Sequence, residues 1–369
     1  MANALTEPIA VKPHPVIFVV PGDLHLTDTN QENYRVANQA IEEINRLIQP
    51  DFVQFVGDNA QEAQTEQFEL FNQLRGRLAA PSDVIVGDHD VHEDPNAEGF
   101  QQYVGATYGV RTFPGARFVR LNTQQAKPVG LSDEQIAWFR NEVKAAESMR
   151  EQVVVFQHNY PYQIWENFDG PGIDAWREIV QTHRIAAIVC GHTHYFQEAN
   201  DGRNIAIAVR SIGDPEGGAP GYLVGFLQED DLAFAYRTVE ETGPFVLVTH
   251  PREAILATTP RHIVSSDDQV RVLIRSASPI VSAQWSIDTG EWQPLAQTDG
   301  DFWIGMLSVE RMAKGMHRLS IMVRSEEGWT TQREQEFVVD TTGRYTAVPV
   351  VHYSPLPTVR PVVTATQFC

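Results

Sequence analysis

Short apolar runs alternate with amphipathic stretches over roughly the first 240 residues. VIFVV (16–20), FVQFV (52–56), SDVIV (82–86), VVVFQ (153–157) and IAAIVC (185–190) have the length and β-branched content of buried strands. Between them the apolar spacing becomes helical. Val36, Ala37, Ala40, Ile41, Ile44, Leu47 and Ile48 share one face, and Phe68, Phe71, Leu74 and Leu78 share another. A third helix announces its start with Ser132 and Gln135 as a capping box and Leu131 and Ile136 at staple positions, and it runs to about Met149. A fourth is predicted over 173–183. The runs 204–210, 222–227 and 232–237 then read as later strands of a layered α/β sandwich.

From about residue 244 the period is 2. Runs at 270–275, 281–288, 301–307, 318–324 and 335–339 are short strands divided by turns such as Thr289-Gly290 and Asp299-Gly300. Val281, Ala283, Trp285 and Ile287 share a face, and short strands around a central Trp fit an immunoglobulin-like sandwich. The expected organisation is an α/β unit over 14–240, an all-β domain over 244–340 and an extended, proline-containing tail over 341–369. His317, at a strand start, reads as a buried structural histidine rather than a ligand.

Five of the α/β segments end an apolar run on metal-ligand residue types: Asp23-Leu24-His25, Gly57-Asp58-Asn59, Gly87-Asp88-His89-Asp90, His158-Asn159 and Gly191-His192-Thr193-His194. Taken singly, each is an ordinary turn carboxylate or loop histidine. Together, carboxylates and imidazoles delivered at the carboxyl ends of parallel strands are what a two-metal hydrolytic site requires.

Composition narrows the partners. The formal net charge is −20 with a pI near 4.9, so neither a nucleic-acid polymer nor an anionic membrane surface would be attracted. Cys190 and Cys369 offer no disulfide framework, and a reducing, cytoplasmic setting is expected. No apolar run approaches the roughly 18 residues of a membrane span, and the first residues lack a secretory pattern. Homo-oligomer formation stays open.

In the order of its five motifs, the segment over residues 14–237 resembles the calcineurin-like metallophosphoesterases. The resemblance implies a four-layer α/β/β/α sandwich. It implies two divalent ions, one held by Asp23, His25, Asp58 and His194, the other by Asp58, Asp88, His158 and His192, with Asp58 bridging. Two ions about 3.5–4 Å apart lower the pKa of a bridging water, and the resulting hydroxide attacks phosphorus in line. Imidazole suits Mn, Fe and Zn, with the carboxylates adding affinity for Mn and Fe. His89 is placed to protonate the leaving oxygen or to bond a phosphoryl oxygen, and Asp90 to orient His89. The implied reaction is hydrolysis of a small phosphoester.

One position departs from that family's pattern. Asp88 stands where its members carry Asn. An ionised Asp lacks the amide donor of Asn and leaves the centre one unit less positive. A phosphomonoester dianion is then less welcome, which favours a diester of the cyclic-nucleotide or glycerophosphodiester type. A monoesterase, or a non-catalytic metal-binding or scaffold module on the same fold, remain the alternatives. The aromatics of 160–168 are candidates for walling the pocket, with packing onto the sheet as the competing role, whereas Gly213–Gly221 reads as a connection.

Overall fold

The computed structural model describes residues 14–92, 94–125, 129–162, 168–298 and 300–351. Two sheets dominate its first part. One is five-stranded, in the order β11-β10-β1-β2-β3, from β1 (Val16–Pro21), β2 (Phe52–Phe55), β3 (Ser82–Val84), β10 (Gly221–Gln228) and β11 (Asp231–Thr238). The other is seven-stranded, in the order β20-β8-β9-β7-β6-β5-β4. Its members are β4 (Gly109–Phe113), β5 (Ala116–Arg120), β6 (Gln152–Gln157), β7 (Ala187–Cys190), β8 (Gln197–Asn200), β9 (Ile205–Ala208) and β20 (Val350–Val351). The triplet β1-β2-β3 is parallel, as are β5-β6-β7.

Side-chain alternation explains why these runs are apolar at every position. Val16, Phe18 and Val20 of β1 pack between the two sheets against Phe118, Val154, Phe156 and Val189, while Ile17 and Val19 face the helices. In β6, Val154 and Phe156 face inward and Val153 and Val155 outward. A strand buried on both faces cannot show polar alternation. Phe18 anchors the intersheet layer, with its ring centroid 5.6 Å from Phe52 and 5.3 Å from Phe118. Helices α1 (Glu32–Glu43), α2 (Thr65–Arg75) and α3 (Glu98–Tyr103) cover the first sheet, and α4 (Asp133–Met149) and α5 (Ile173–Thr182) the second. The result is the expected α/β/β/α stack.

The cap of α4 is half of the predicted box. Ser132 Oγ accepts the Gln135 N–H at 3.2 Å, but the Gln135 side chain turns inward, donating to the Asn122 carbonyl at 2.9 Å. The Gln125 amide oxygen takes the Ser132 N–H instead, at 2.9 Å. The hairpin β4–β5 turns at Pro114-Gly115 and is an element the hydrophobic pattern did not announce.

From β12 (Phe245–His250) onward the chain forms two antiparallel sheets. Strand β13 (Asp268–Arg275), β16 (Ala296–Gln297) and β17 (Phe302–Leu307) join β12 in the order β12-β13-β17-β16. Strand β14 (Ile280–Ile287), β15 (Gln293–Pro294), β18 (Gly315–Ser325) and β19 (Thr330–Val339) pair as β15-β14-β18-β19. That is the immunoglobulin arrangement of ABED against C′CFG, with buried Trp285 on the third strand. His317 is structural but only partly buried, not buried as expected, donating Nδ1–H to Asp288 and Nε2–H to the Ala313 carbonyl, each at 2.8 Å. The sandwich sits against the first sheet, where Arg271 reaches Asp231 at 2.6 Å.

Candidate metal centre

All seven expected ligands converge at the carboxyl ends of β1, β2, β3, β6 and β7 and in the loop after β7. Asp23, His25, Asp58 and His194 bring one donor atom each within 4.8 Å of one another, and so do Asp58, Asp88, His158 and His192. Asp58 belongs to both groups. These are the two sets expected above.

The backbone that achieves this is unusual. His25, Asp58, His192 and His194 all have positive φ, between 47° and 69°. Such conformations cost about 1–3 kcal/mol each in non-glycine residues and persist only where the surroundings over-determine them. The glycines preceding the ligands are required by close approach. A Cβ on Gly87 would lie 2.1 Å from Asp58 Oδ1, and one on Gly57 would lie 2.4 Å from His158 Nδ1.

Each imidazole is aimed. His158 donates Nδ1–H to the Val56 carbonyl at 2.8 Å, leaving Nε2 toward Asp88 Oδ1 at 2.9 Å and Asp58 Oδ2 at 3.4 Å. His194 Nδ1 lies 2.7 Å from Glu216 Oε2, leaving Nε2 only 3.0 Å from the Nε2 of His25. His192 Nδ1 lies 3.0 Å from Asp88 Oδ1 and 3.2 Å from His158 Nε2. Asp23 Oδ1 accepts the His192 backbone N–H at 2.8 Å, while its buried Oδ2 has no hydrogen-bond partner. Ring nitrogens facing one another across about 3 Å, beside an orphaned carboxylate oxygen, fit divalent cations, because a cation satisfies the lone pairs on both sides. The charges agree. Burial works against ionising Asp88, yet the His158 and His192 imidazoles hold its carboxyl far below the usual range. Burial likewise opposes protonation of His158, but Asp58 and Asp88 keep it well above its ordinary value.

His89 and Asp90 behave differently from one another. His89 is partly exposed, its ring centroid 4.7 Å from that of His25, and it donates Nδ1–H to the Gln61 carbonyl at 2.8 Å. Burial lowers its pKa, but the Asp58 charge and that carbonyl outweigh it and hold it above the ordinary value. Asp90 was expected to orient His89, and the geometry corrects this. Its fully buried carboxylate accepts four N–H groups: Asn59 backbone at 3.0 Å, Asn59 Nδ2 at 2.9 Å, Ala60 at 2.9 Å and Gly87 at 3.0 Å. The single 3₁₀ turn at His89–Val91 points Asp90 inward, away from His89. Asp90 therefore clamps the loop after β2 to the loop after β3. Burial and the Asp58 charge push it up to about 7, with the N–H donors pulling down.

The loop at 213–221 is more than a connection. Glu216 holds His194, while Ser211 Oγ and the N–H groups of Ile212 and Gly213 all donate to the Asp23 carbonyl. Of the aromatic loop, Tyr160 is fully buried and packs against Tyr162 in the layer under α5, so packing is its role; Gln163–Asn167 lie outside the described residues. An open groove of about 430 Å³ leads away from His25, lined by Asp28, Glu32, Asp214, Asn33 and Gln61 among others, with no lysine or arginine among the described residues.

A family model for calcineurin-like phosphoesterases matches residues 17–196. A probable glycerophosphodiester phosphodiesterase, GpdQ, of Arcobacter nitrofigilis is 26% identical over 199 residues, 48% of this chain and 72% of that protein. Mouse transmembrane protein 62 is 22% identical over 83% of this chain, which spans only about half (52%) of that relative. Among solved structures, the purple acid phosphatase PPD1 of yellow lupin superposes with a TM-score of 0.51 at 12% identity, covering 62% of this chain and 52% of that one. The described residues contain no helix long and apolar enough to cross a membrane. Residues 17–196, which carry all seven converging ligands, belong to the calcineurin-like phosphoesterases.

Proposed function

We propose that the chain is a two-metal phosphodiesterase acting on a small diester with a polyol or other uncharged leaving group. One observation carries the choice of diester over monoester: among the described residues, the groove beside His25 is lined by Asp28, Asp214 and an Arg35-paired Glu32 and by no lysine or arginine, next to a centre that already holds Asp23, Asp58 and Asp88. A monoester dianion would enter against that field, whereas a diester carries one charge fewer and its leaving group can use Asn33 and Gln61 as hydrogen-bond partners. The similarity to a probable glycerophosphodiester phosphodiesterase supports the same class.

When bound, two divalent ions, taken here as Mn, Fe or Zn, supply Lewis acidity toward a phosphoryl oxygen and acidify water. The chain's own contributions are these. Asp58 serves both donor sets and fixes their separation. Val56 and Glu216 lock His158 and His194 with the ligating nitrogen inward. His89, held by Gln61 and raised in pKa, keeps a proton for the leaving oxygen.

The reading takes residues 14–240 as the catalytic unit and 244–340 as a wall and support for the first sheet. It places the chain in the cytoplasm, which the buried free thiol of Cys190 supports. The test is the ratio of turnover on bis(p-nitrophenyl) phosphate to that on p-nitrophenyl phosphate with the metal-loaded protein. The diester should be the better substrate. A faster monoester reaction would reject the choice, and no hydrolysis of either would favour the scaffold reading.

A further inference from the structure

A cavity of about 390 Å³ opens at the far end of the sheets from the metal centre. Gln152, the first residue of β6, lines it, whereas His158 follows the last residue of that strand; the two ends lie roughly 16–20 Å apart. Arg184 enters from the segment before β7, Arg203 from the β8–β9 turn, and Arg252 and His262 from the link between β12 and β13. The cavity therefore lies on the seam between the phosphoesterase unit and the sandwich.

Its charge runs against that of the chain. In a protein of net charge −20, three arginines line this cavity and Asp230 is the one carboxylate among the lining residues. Asp230 is taken by the Arg184 guanidinium. The nearly buried Arg252 spends its donors on the carbonyls of Leu256 and Asp230, and Arg203 reaches only the His183 carbonyl, at 3.4 Å. Neighbouring Asp231 is engaged by Arg271 at 2.6 Å. Carbonyls satisfy hydrogen bonds but do not neutralise guanidinium charge. Burial accordingly lowers Arg252 to about 10 despite Asp230 and Asp231.

A second observation points into the same space. The His262 side chain is 7% exposed. Its Nδ1 accepts the Thr258 backbone N–H at 3.1 Å, which puts the proton on Nε2. Among the described residues that Nε2–H meets only Asp230 Oδ2, at a long 3.5 Å that falls short of a well-formed hydrogen bond. A buried donor so poorly met is a place where an anion in the cavity gains a hydrogen bond.

We propose that this cavity binds a small phosphate-bearing anion, either inorganic phosphate or a phosphomonoester, at a site separate from the metal centre. Arginine is suited to phosphate oxygens, and the Thr259 hydroxyl adds a donor at the rim. Leu227 and Leu232 give one wall an apolar surface, and the volume exceeds what a bare phosphate fills, so a monoester with a small organic part is accommodated.

The experiment is calorimetric titration of the metal-loaded protein with inorganic phosphate and with glycerol 3-phosphate, in wild type and in Arg184→Gln/Arg203→Gln. Both arginines reach the surface, and Thr259→Glu, which places a carboxylate at the rim, is the second variant. Wild type should show a binding event beyond the metal centre's own. Each variant should weaken that event by about tenfold or more. Diester turnover and its inhibition by phosphate should stay as in wild type. Tighter binding of phosphate assigns the free ion, and tighter binding of glycerol 3-phosphate assigns a monoester. Identical titrations for wild type and both variants, or a loss that tracks turnover, would overturn the proposal.

Discussion

His194 and Glu216 face one another at 2.7 Å, imidazole Nδ1 to carboxylate Oε2, although they stand 22 positions apart with strands β8 and β9 between them. The carboxylate fixes the tautomer that leaves Nε2 for the site shared with Asp23, His25 and Asp58. Glu216→Gln should therefore weaken one of the two metal sites by about 10–100-fold and leave the other near wild type. Metal retained per chain after dialysis against a graded chelator series would show it.

Asp88 is the second lever. With Asn in its place, one negative charge leaves the centre and an amide donor returns. Asp88→Asn should shift the ratio of monoester to diester turnover toward the monoester by on the order of tenfold, the equivalent of about 1.4 kcal/mol at the transition state. An unchanged ratio would detach substrate choice from the charge at this position.

Asp90 should act on stability before chemistry. Asp90→Ala strands four buried N–H groups on two ligand-bearing loops and is expected to cost about 3–5 kcal/mol, read from denaturant unfolding. Asp90→Asn should keep the acidic limb of the pH–rate profile in place, because no contact links Asp90 to the His89 ring.

His317 gives the sandwich a pH dependence. Both ring nitrogens donate, to Asp288 and to the Ala313 carbonyl, which is the protonated form, and although burial opposes this its pKa stands raised. The unfolded chain titrates near 6.5. The stabilisation is therefore complete below that value and is lost as pH rises through the higher folded pKa. His317→Gln should flatten this part of the unfolding free energy against pH, and a slope unaltered by the substitution would assign it elsewhere.

Seven ligands were legible in the sequence because the fold delivers them in one stereotyped way, directly after a buried strand and often after a glycine that close approach demands. What stayed hidden is what the chain brings together from a distance. Glu216 meets His194, and Gln61 holds His89 across 28 residues, with no local spacing to mark either pair. Asp90 misled for a related reason: adjacency in sequence says nothing about which way one 3₁₀ turn directs a side chain. The β4–β5 hairpin escaped because GVRTF lies partly exposed on an edge and lacks the apolar run of the central strands. The cationic seam was invisible for the opposite reason, its arginines, Arg184, Arg203 and Arg252, being scattered over a long stretch of a strongly acidic chain.

The central claim is a two-ion centre that hydrolyses a phosphodiester, with Asp58 common to both sites. Titrating metal-stripped protein with Mn, Fe or Zn while following hydrolysis of bis(p-nitrophenyl) phosphate tests it most directly. The account predicts activity that rises to a plateau at two equivalents per chain and is abolished in Asp58→Asn. A plateau at one equivalent, or no activity with any of the three metals, would contradict it.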